Sequence, residues 1–364
     1  MHRQNRGNAL RISPVRFMDD FPFGKESKAM MKFSSRFRAG SYLLVALCIM
    51  GSAVFGSERV QAADATQLTT VGQLSAAQKP QGVPDDYVVT PNGYFSASCV
   101  VTVHKGDQLQ ANGMIQRATG ALEKPAQCTQ PNFTLQGDRI ETNGQRSLSS
   151  LKRRTPPPEQ SGWVQAANYA SSTPIGRIVA TWTVPSQPSN RGNQVIYFFP
   201  GLEQLPNVQS ILQPVLGWNG YGDKAWTLAS WNCCVDGTTF HSDPISARAG
   251  DVVVGDTYSN CGPGVACSSW NIDSRDTTSG QTSSLTTNPY ADLTWVFGGV
   301  LEVYSVATCN QYPGGPITFS NIQVYDRNNN RVSNPPWQGS DTSGITPQCN
   351  YGLQTTATTA TLSY

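Results

Sequence analysis

Glu302 and Gln213 are out of keeping with their surroundings. Glu302 sits between Leu301 and Val303 in the apolar run Asp292 to Tyr304, DLTWVFGGVLEVY, and Gln213 sits in QSILQPVLGW, Gln209 to Trp218. An ionised carboxylate buried without a partner is costly, so such a group takes up a proton or finds a partner. A carboxyl that exchanges its proton is a general acid or base. Gln213 is an amide, donor and acceptor at once. Alternation along a strand puts Glu302 on one face with Val300 and Tyr304, and Gln213 on one face with Ile211, while Pro214 holds Gln213 extended. Two functions are open to each residue alone: a core side chain satisfying backbone groups, or a group lining a shared cleft.

Other chemistries find less material. His241 is the one histidine after residue 160, in Thr-Phe-His-Ser-Asp, and no Gly-x-Ser-x-Gly elbow accompanies it. His104, upstream, follows a strand-like run and reads as a surface residue. Cys233 and Cys234 are adjacent, and Cys261 and Cys267 lie six apart around Gly-Pro-Gly, unlike the paired spacing zinc uses, so no metal is expected. With no phosphate-binding glycine loop either, no cofactor is expected. Glycoside cleavage would need a second carboxylate facing Glu302, such as Asp243 or Asp256. A lectin-like module, gripping a glycan or protein with exposed aromatics and no chemistry, is the alternative from another class.

The elements that must position these residues are strands. Ile178, Ala180, Trp182 and Val184 alternate with Val179, Thr181 and Thr183. Further runs cover Val195 to Phe199, Ile211 to Leu216, Trp226 to Trp231, Asp251 to Tyr258, Ser268 to Asp273, Trp295 to Val306, Ile317 to Tyr325 and Leu353 to Tyr364. No stretch has helical periodicity over ten residues. Many short strands with Gly, Pro and Asn turns predict an all-β fold, a two-sheet antiparallel sandwich or jelly roll, preceded by a small β-rich N-terminal domain.

The 364 residues exceed one average domain, and only 14% are charged. The formal charge of +2 is carried at the front. From Ser161 onward seven Lys and Arg face twelve Asp and Glu, which argues against nucleic acid as a partner. Lys32, Arg36 and Arg38 precede the apolar stretch Tyr42 to Phe55, and Val60, Gln61 and Ala62 offer a signal-peptidase site. Residues 1–62 are therefore expected to be a signal peptide with an over-extended start, and the destination extracellular or periplasmic, with no membrane attachment afterwards. Residues 63–145 are expected to form a prosegment or accessory domain. Residues 146–161 form a linker in which Lys152, Arg153 and Arg154 precede three prolines, an exposed place for processing. Residues 162–364 form the main domain, expected to be a monomer. Removing Cys48 with the signal leaves eight cysteines, an even number in an oxidising compartment. Cys99 with Cys128 and Cys261 with Cys267 are the expected disulfides. Cys233, Cys234, Cys309 and Cys349 pair among themselves in an order the sequence leaves open.

From Gly162 to Tyr364 the order of segments resembles the eqolisins, the secreted glutamic peptidases. The likeness rests on Trp163, on Thr181-Trp-Thr-Val-Pro185, and on Tyr197-Phe-Phe-Pro-Gly-Leu202 leading to Ser210-Ile-Leu-Gln213. It continues through Trp226 to Trp231, Ala249-Gly-Asp-Val252, Val300-Leu-Glu302 and Ile317-Thr-Phe-Ser-Asn321. The resemblance implies a sandwich of two curved antiparallel sheets and an acid endopeptidase acting on polypeptides. It implies a catalytic dyad of Gln213 and Glu302, with water as nucleophile, and Trp182, Trp226 and Trp231 as substrate-binding aromatics.

Overall fold

The computed structural model describes residues 79–80, 82–135, 137–147, 160–205, 210–235 and 237–364. The expected signal peptide and the basic and proline-rich part of the linker lie outside the described residues. Nine short strands come first: β1 (Tyr87–Thr90), β2 (Gly93–Ser96), β3 (Val100–Val103), β4 (Gln108–Leu109), β5 (Ile115–Gln116), β6 (Leu122–Glu123), β7 (Asn132–Phe133), β8 (Arg139–Ile140) and β9 (Arg146–Ser147). Longer strands follow: β10 (Gln160–Ala170), β11 (Ile175–Thr183), β12 (Val195–Glu203), β13 (Ile211–Trp218), β14 (Trp226–Val235), β15 (Thr238–Ser242), β16 (Ile245–Ala247) and β17 (Val252–Ser259). The last are β18 (Trp270–Asp276), β19 (Gln281–Thr287), β20 (Trp295–Val306), β21 (Ile317–Asp326), β22 (Gly352–Thr355) and β23 (Ala360–Ser363).

These strands make the expected two-sheet sandwich. One sheet runs β10-β20-β12-β13-β14-β15-β3, with β16 also on β14; the other runs β22-β23-β21-β11-β17-β18-β19-β4-β5-β6. Pairing is antiparallel except where β3 joins β15 and β4 joins β19. Between the sheets lies the main core, with Trp182, Phe198, Leu202, Leu216, Trp226, Leu301, Val303 and Phe319 among its members. Its strands are apolar because removing such side chains from water is the chief favourable term in folding.

The N-terminal segment is woven into this sandwich. β3 and β4 extend the two sheets at their edges, where unpaired backbone groups would otherwise stand open. β1, β2, β7, β8 and β9 form a separate five-stranded sheet. That sheet lies on the outer face of the β20 sheet, and a second apolar cluster joins them: Tyr87, Val89, Tyr94, Phe95 and Phe133 above, Tyr197, Phe199, Val215, Trp231, Val300 and Tyr304 below. The central strands β12, β13 and β20 are thus buried on both faces, which explains why their sequences are continuously apolar rather than alternating.

All eight described cysteines pair. Cys99–Cys128 and Cys261–Cys267 form the expected pairs, with Cα atoms 5.1 and 5.6 Å apart. Cys309 pairs with Cys349, and Cys233 with its neighbour Cys234. Among the described residues no helix is long and apolar enough to cross a membrane.

Candidate functional site

Glu302 lies mid-strand on β20, opposite Trp163 of β10 and Tyr197 of β12. It is wholly buried. The indole N–H of Trp163 donates to its Oε2 at 2.9 Å, and its Oε1 is 2.8 Å from the hydroxyl of Tyr304. No cation is among these partners. Burial raises its pKa to about 8, against the opposing pull of the Tyr304 and Trp163 hydrogen bonds. The same setting pushes the Tyr197 and Tyr304 phenols well above their ordinary range, burial first and the nearby Glu302 carboxyl second.

Tyr304 also ties this group to the N-terminal segment. Gly93 N–H donates to its Oη at 2.9 Å, and Oη lies 2.7 Å from the carbonyl oxygen of Thr90. The Tyr94 ring packs edge-on against Tyr304, centroids 5.4 Å apart. The turn between β1 and β2 is therefore seated directly on the pair Glu302 and Tyr304.

Gln213 occupies the same sheet face, under the same cover, but away from Glu302. It pairs with Trp231 on β14 and stands beside Gly201 of β12, where an added Cβ would meet its Cγ at 3.5 Å. Glu302 is level with Tyr197, four residues earlier on β12 and one strand to the other side. Four residues along and two strands across put their Cα atoms roughly 16 Å apart by ordinary ladder spacings. No hydrogen bond joins them, and both Gln213 amide atoms are buried without a partner among the described residues. The Gln213–Glu302 pair expected to share one water is not brought together here, because both run on the same face but out of register.

The three tryptophans divide in the same way. Trp182 and Trp226 point to the inter-sheet core and not to the Glu302 face, so neither lines a cleft. Trp182 packs on Phe319 at 5.3 Å between centroids, and Trp226 on Trp218 at 5.5 Å. Their places follow from strand alternation, since each falls at an inward position. Trp231 does face the Gln213 side, stacked 4.6 Å from the His241 ring.

Neither alternative chemistry assembles. His241 is buried, its Nδ1–H donates to the Ser242 carbonyl at 2.8 Å, and its Nε2 accepts from Thr102 at 3.1 Å. Burial lowers its pKa to about 4, so it is a neutral tie holding β3. His104, expected as a bystander, is 2.8 Å from Asp243 at the protein surface. Asp256 is gripped by Arg177 on the outer face of the other sheet, at 2.9 and 2.7 Å. Glu203, missed by sequence reasoning, is buried at the far end of β12 with its pKa raised to about 8 by burial. It stands six residues along β12 from Tyr197, roughly 20 Å by strand rise, beyond the carboxyl separations glycosidases use. Tyr304 and Tyr197 were also missed as partners of Glu302. The i, i+2 spacing of Glu302 and Tyr304 carried the signal for the first, whereas Tyr197 needed the strand register. Among the described residues no cluster of His, Cys, Asp and Glu could hold a metal ion.

No family model matches the sequence, and no curated protein matches it. Among solved structures, Scytalido-glutamic peptidase with a peptide-based transition state analog is similar at 18% identity and a TM-score of 0.44, over 57% of this chain and 99% of that one. SCP-B, a member of the eqolisin family of peptidases, in a complex with the tripeptide Ala-Ile-His, matches over the same shares at 18% identity and a TM-score of 0.42. An alginate lyase A1-II' variant matches at 12% identity and a TM-score of 0.26, over 60% of this chain and 92% of that one.

Proposed function

We propose that the chain is a secreted hydrolase of glutamic-peptidase type, acting on polypeptides in acid, with Glu302 as its acid and base, and that the form described is its covered state. The observation that supports this reading is the setting of Glu302: a wholly buried carboxyl with no cation, held at both oxygens by side chains and shifted to about 8. Strong perturbation by burial in a polar niche marks groups that move protons. The order of segments that resembles the eqolisins supports it independently.

With the β1–β2 turn lifted, water reaches Glu302 and its pKa falls toward the ordinary range. Glu302 then takes a proton from a water attacking the peptide carbonyl and returns it to the leaving amine. Tyr304, freed from Thr90 and Gly93, is placed to donate to the oxyanion. In this reading Gln213 anchors an extended substrate several residues from the scissile bond, with Trp231 beside it. Residues 63–145 act as a prosegment, released by cleavage at Lys152 to Arg154. The disulfides fit an oxidising, extracellular or periplasmic setting.

One observation favours a second reading. Glu302 is closed in, with neither Gln213 nor a second carboxylate in reach, as in a non-catalytic lectin-like sandwich whose cover never leaves. The test treats the full chain with a protease cutting after basic residues, then measures digestion of a denatured protein from about pH 2 to 8, a range bracketing normal and raised carboxyl values. Digestion is expected only after cutting, and Glu302→Gln should lower it by a hundredfold or more, on the order of a lost catalytic group. Equal digestion by Glu302→Gln defeats the reading; no digestion together with retention of a glycan establishes the second.

A further inference from the structure

The hydroxyl of Tyr304 has one proton and three close partners. Gly93 N–H must donate to it, and the Thr90 carbonyl can only accept from it. If the Tyr304 proton goes to Thr90, the 2.8 Å contact with Glu302 needs a proton from Glu302. A neutral carboxyl supplies that proton, and all three contacts are then hydrogen bonds. An ionised Glu302 instead draws the Tyr304 proton to itself, leaving the Thr90 and Tyr304 oxygens facing each other at 2.7 Å with no hydrogen between them.

We infer that the hairpin of residues 87–96 is a latch: the protonated side chain of Glu302 closes it through Tyr304, and ionisation of that side chain loosens it. This goes beyond the proposed activity and holds whether or not the site turns over substrate. The hairpin is built to present these two backbone groups in fixed positions. Gly93 has φ of +110°, and a Cβ there would stand 2.2 Å from the Phe133 carbonyl oxygen, so the turn cannot accommodate another residue without moving. Buried Thr90 accepts from Asn92 N–H at 3.2 Å and donates to the Gly93 carbonyl at 3.1 Å, bracing the same turn.

The groups around Glu302 leave the proton as the variable. From β10 comes the Trp163 indole, from β12 Tyr197, from its own strand Tyr304 and from the hairpin Tyr94; Tyr221 and then His241 lie beyond Tyr197. No Lys, Arg, His, Asp or second Glu is among the groups acting on its ionisation. With the latch shut, burial holds Glu302 at about 8; with it open, water returns the group toward the ordinary 4.5. The closed form therefore binds more protons between these values. Closure is fully favoured below about 4.5, weakens by up to about tenfold per pH unit above it, and levels off above about 8. Acid alone thus keeps the latch shut, and opening in acid requires cutting the chain.

The test is amide hydrogen exchange of the full chain from pH 4 to 9, corrected for the intrinsic rate, comparing residues 87–96 with the β17–β18 pair. Wild type is expected to lose protection in the hairpin, tenfold or more between pH 5 and 8, while β17–β18 stays level. Glu302→Gln, whose amide can donate to Tyr304 at every pH, should keep the hairpin protected throughout. Tyr304→Phe, which removes the tie itself, should leave the hairpin less protected than wild type at pH 5, and protection equal to wild type there overturns the inference. A flat wild-type profile overturns the inference. So does the wild-type slope persisting in Glu302→Gln, which would assign the titration elsewhere, for example to Glu203.

Discussion

Asp256 and Asp273 on one sheet and Glu302 on the other are buried acid groups treated in opposite ways. On the ten-stranded sheet one face meets water, and β11 alternates buried and exposed residues along its length. On that face Asp256 pairs with Arg177, and Asp273 with Arg275 at 2.8 Å and Ser284 at 2.7 Å, while Arg177 lies over the rings of Tyr258 and Tyr325. On the β20 sheet both faces are covered, and Glu302 meets only an indole and a phenol. Opposite charge costs little at a surface, where water shares the work, and such pairs are permanent structure. A lone carboxyl beneath a cover is maintained by a proton, so it responds to whatever admits water. The difference teaches that the covered face, not the charged one, is where the molecule has a state to change.

The comparison breaks first on pH. Glu302 and Glu203 are each held near 8 when folded, against an ordinary 4.5. A raised carboxyl pKa leaves stability at its fullest below about 4.5, and the loss accrues as pH rises to about 8. Urea unfolding should therefore show wild type weakening from pH 5 to 8.5, with Glu302→Gln removing on the order of 3–5 kcal/mol of that loss. An unchanged slope in this variant would mean that Glu302 is not the buried acid we describe.

A smaller effect is expected at the link to the cover. Tyr304→Phe leaves Gly93 N–H, the Thr90 carbonyl and Glu302 short of a partner, a cost of about 2–3 kcal/mol by denaturant unfolding near pH 5. Smallest is Asp256→Asn, which trades a partly exposed ion pair for a neutral contact and should cost about 1 kcal/mol or less, diminishing in high salt. If Asp256→Asn proved the more damaging of the two, the contrast between the sheets would be reversed.

Much of this was legible in residue order because it depends on local periodicity. The run through Ile178, Ala180, Trp182 and Val184 announced β11, and the β20 run around Glu302 announced a buried strand with one carboxyl in it. The spacing of Cys261 and Cys267 announced a short disulfide loop. Periodicity puts Trp182 on one face with Ile178 and Ala180 but does not say whether that face meets a core or a cleft, and the substrate-binding role the resemblance implied for Trp182 and Trp226 falls on the core face.

By itself the sequence determined that the chain is built of strands, that Glu302 and Gln213 are polar groups inside buried ones, and that charge is scarce enough for burial to dominate. Only the tertiary structure decided which polar groups meet. Register across β12 separates Gln213 from Glu302, and the path of residues 87–96 brings Thr90 and Gly93, more than 200 positions away in sequence, onto Tyr304. The physical reason is that alternation is a property of one strand, whereas register and cover are set by the fit of many strands at once.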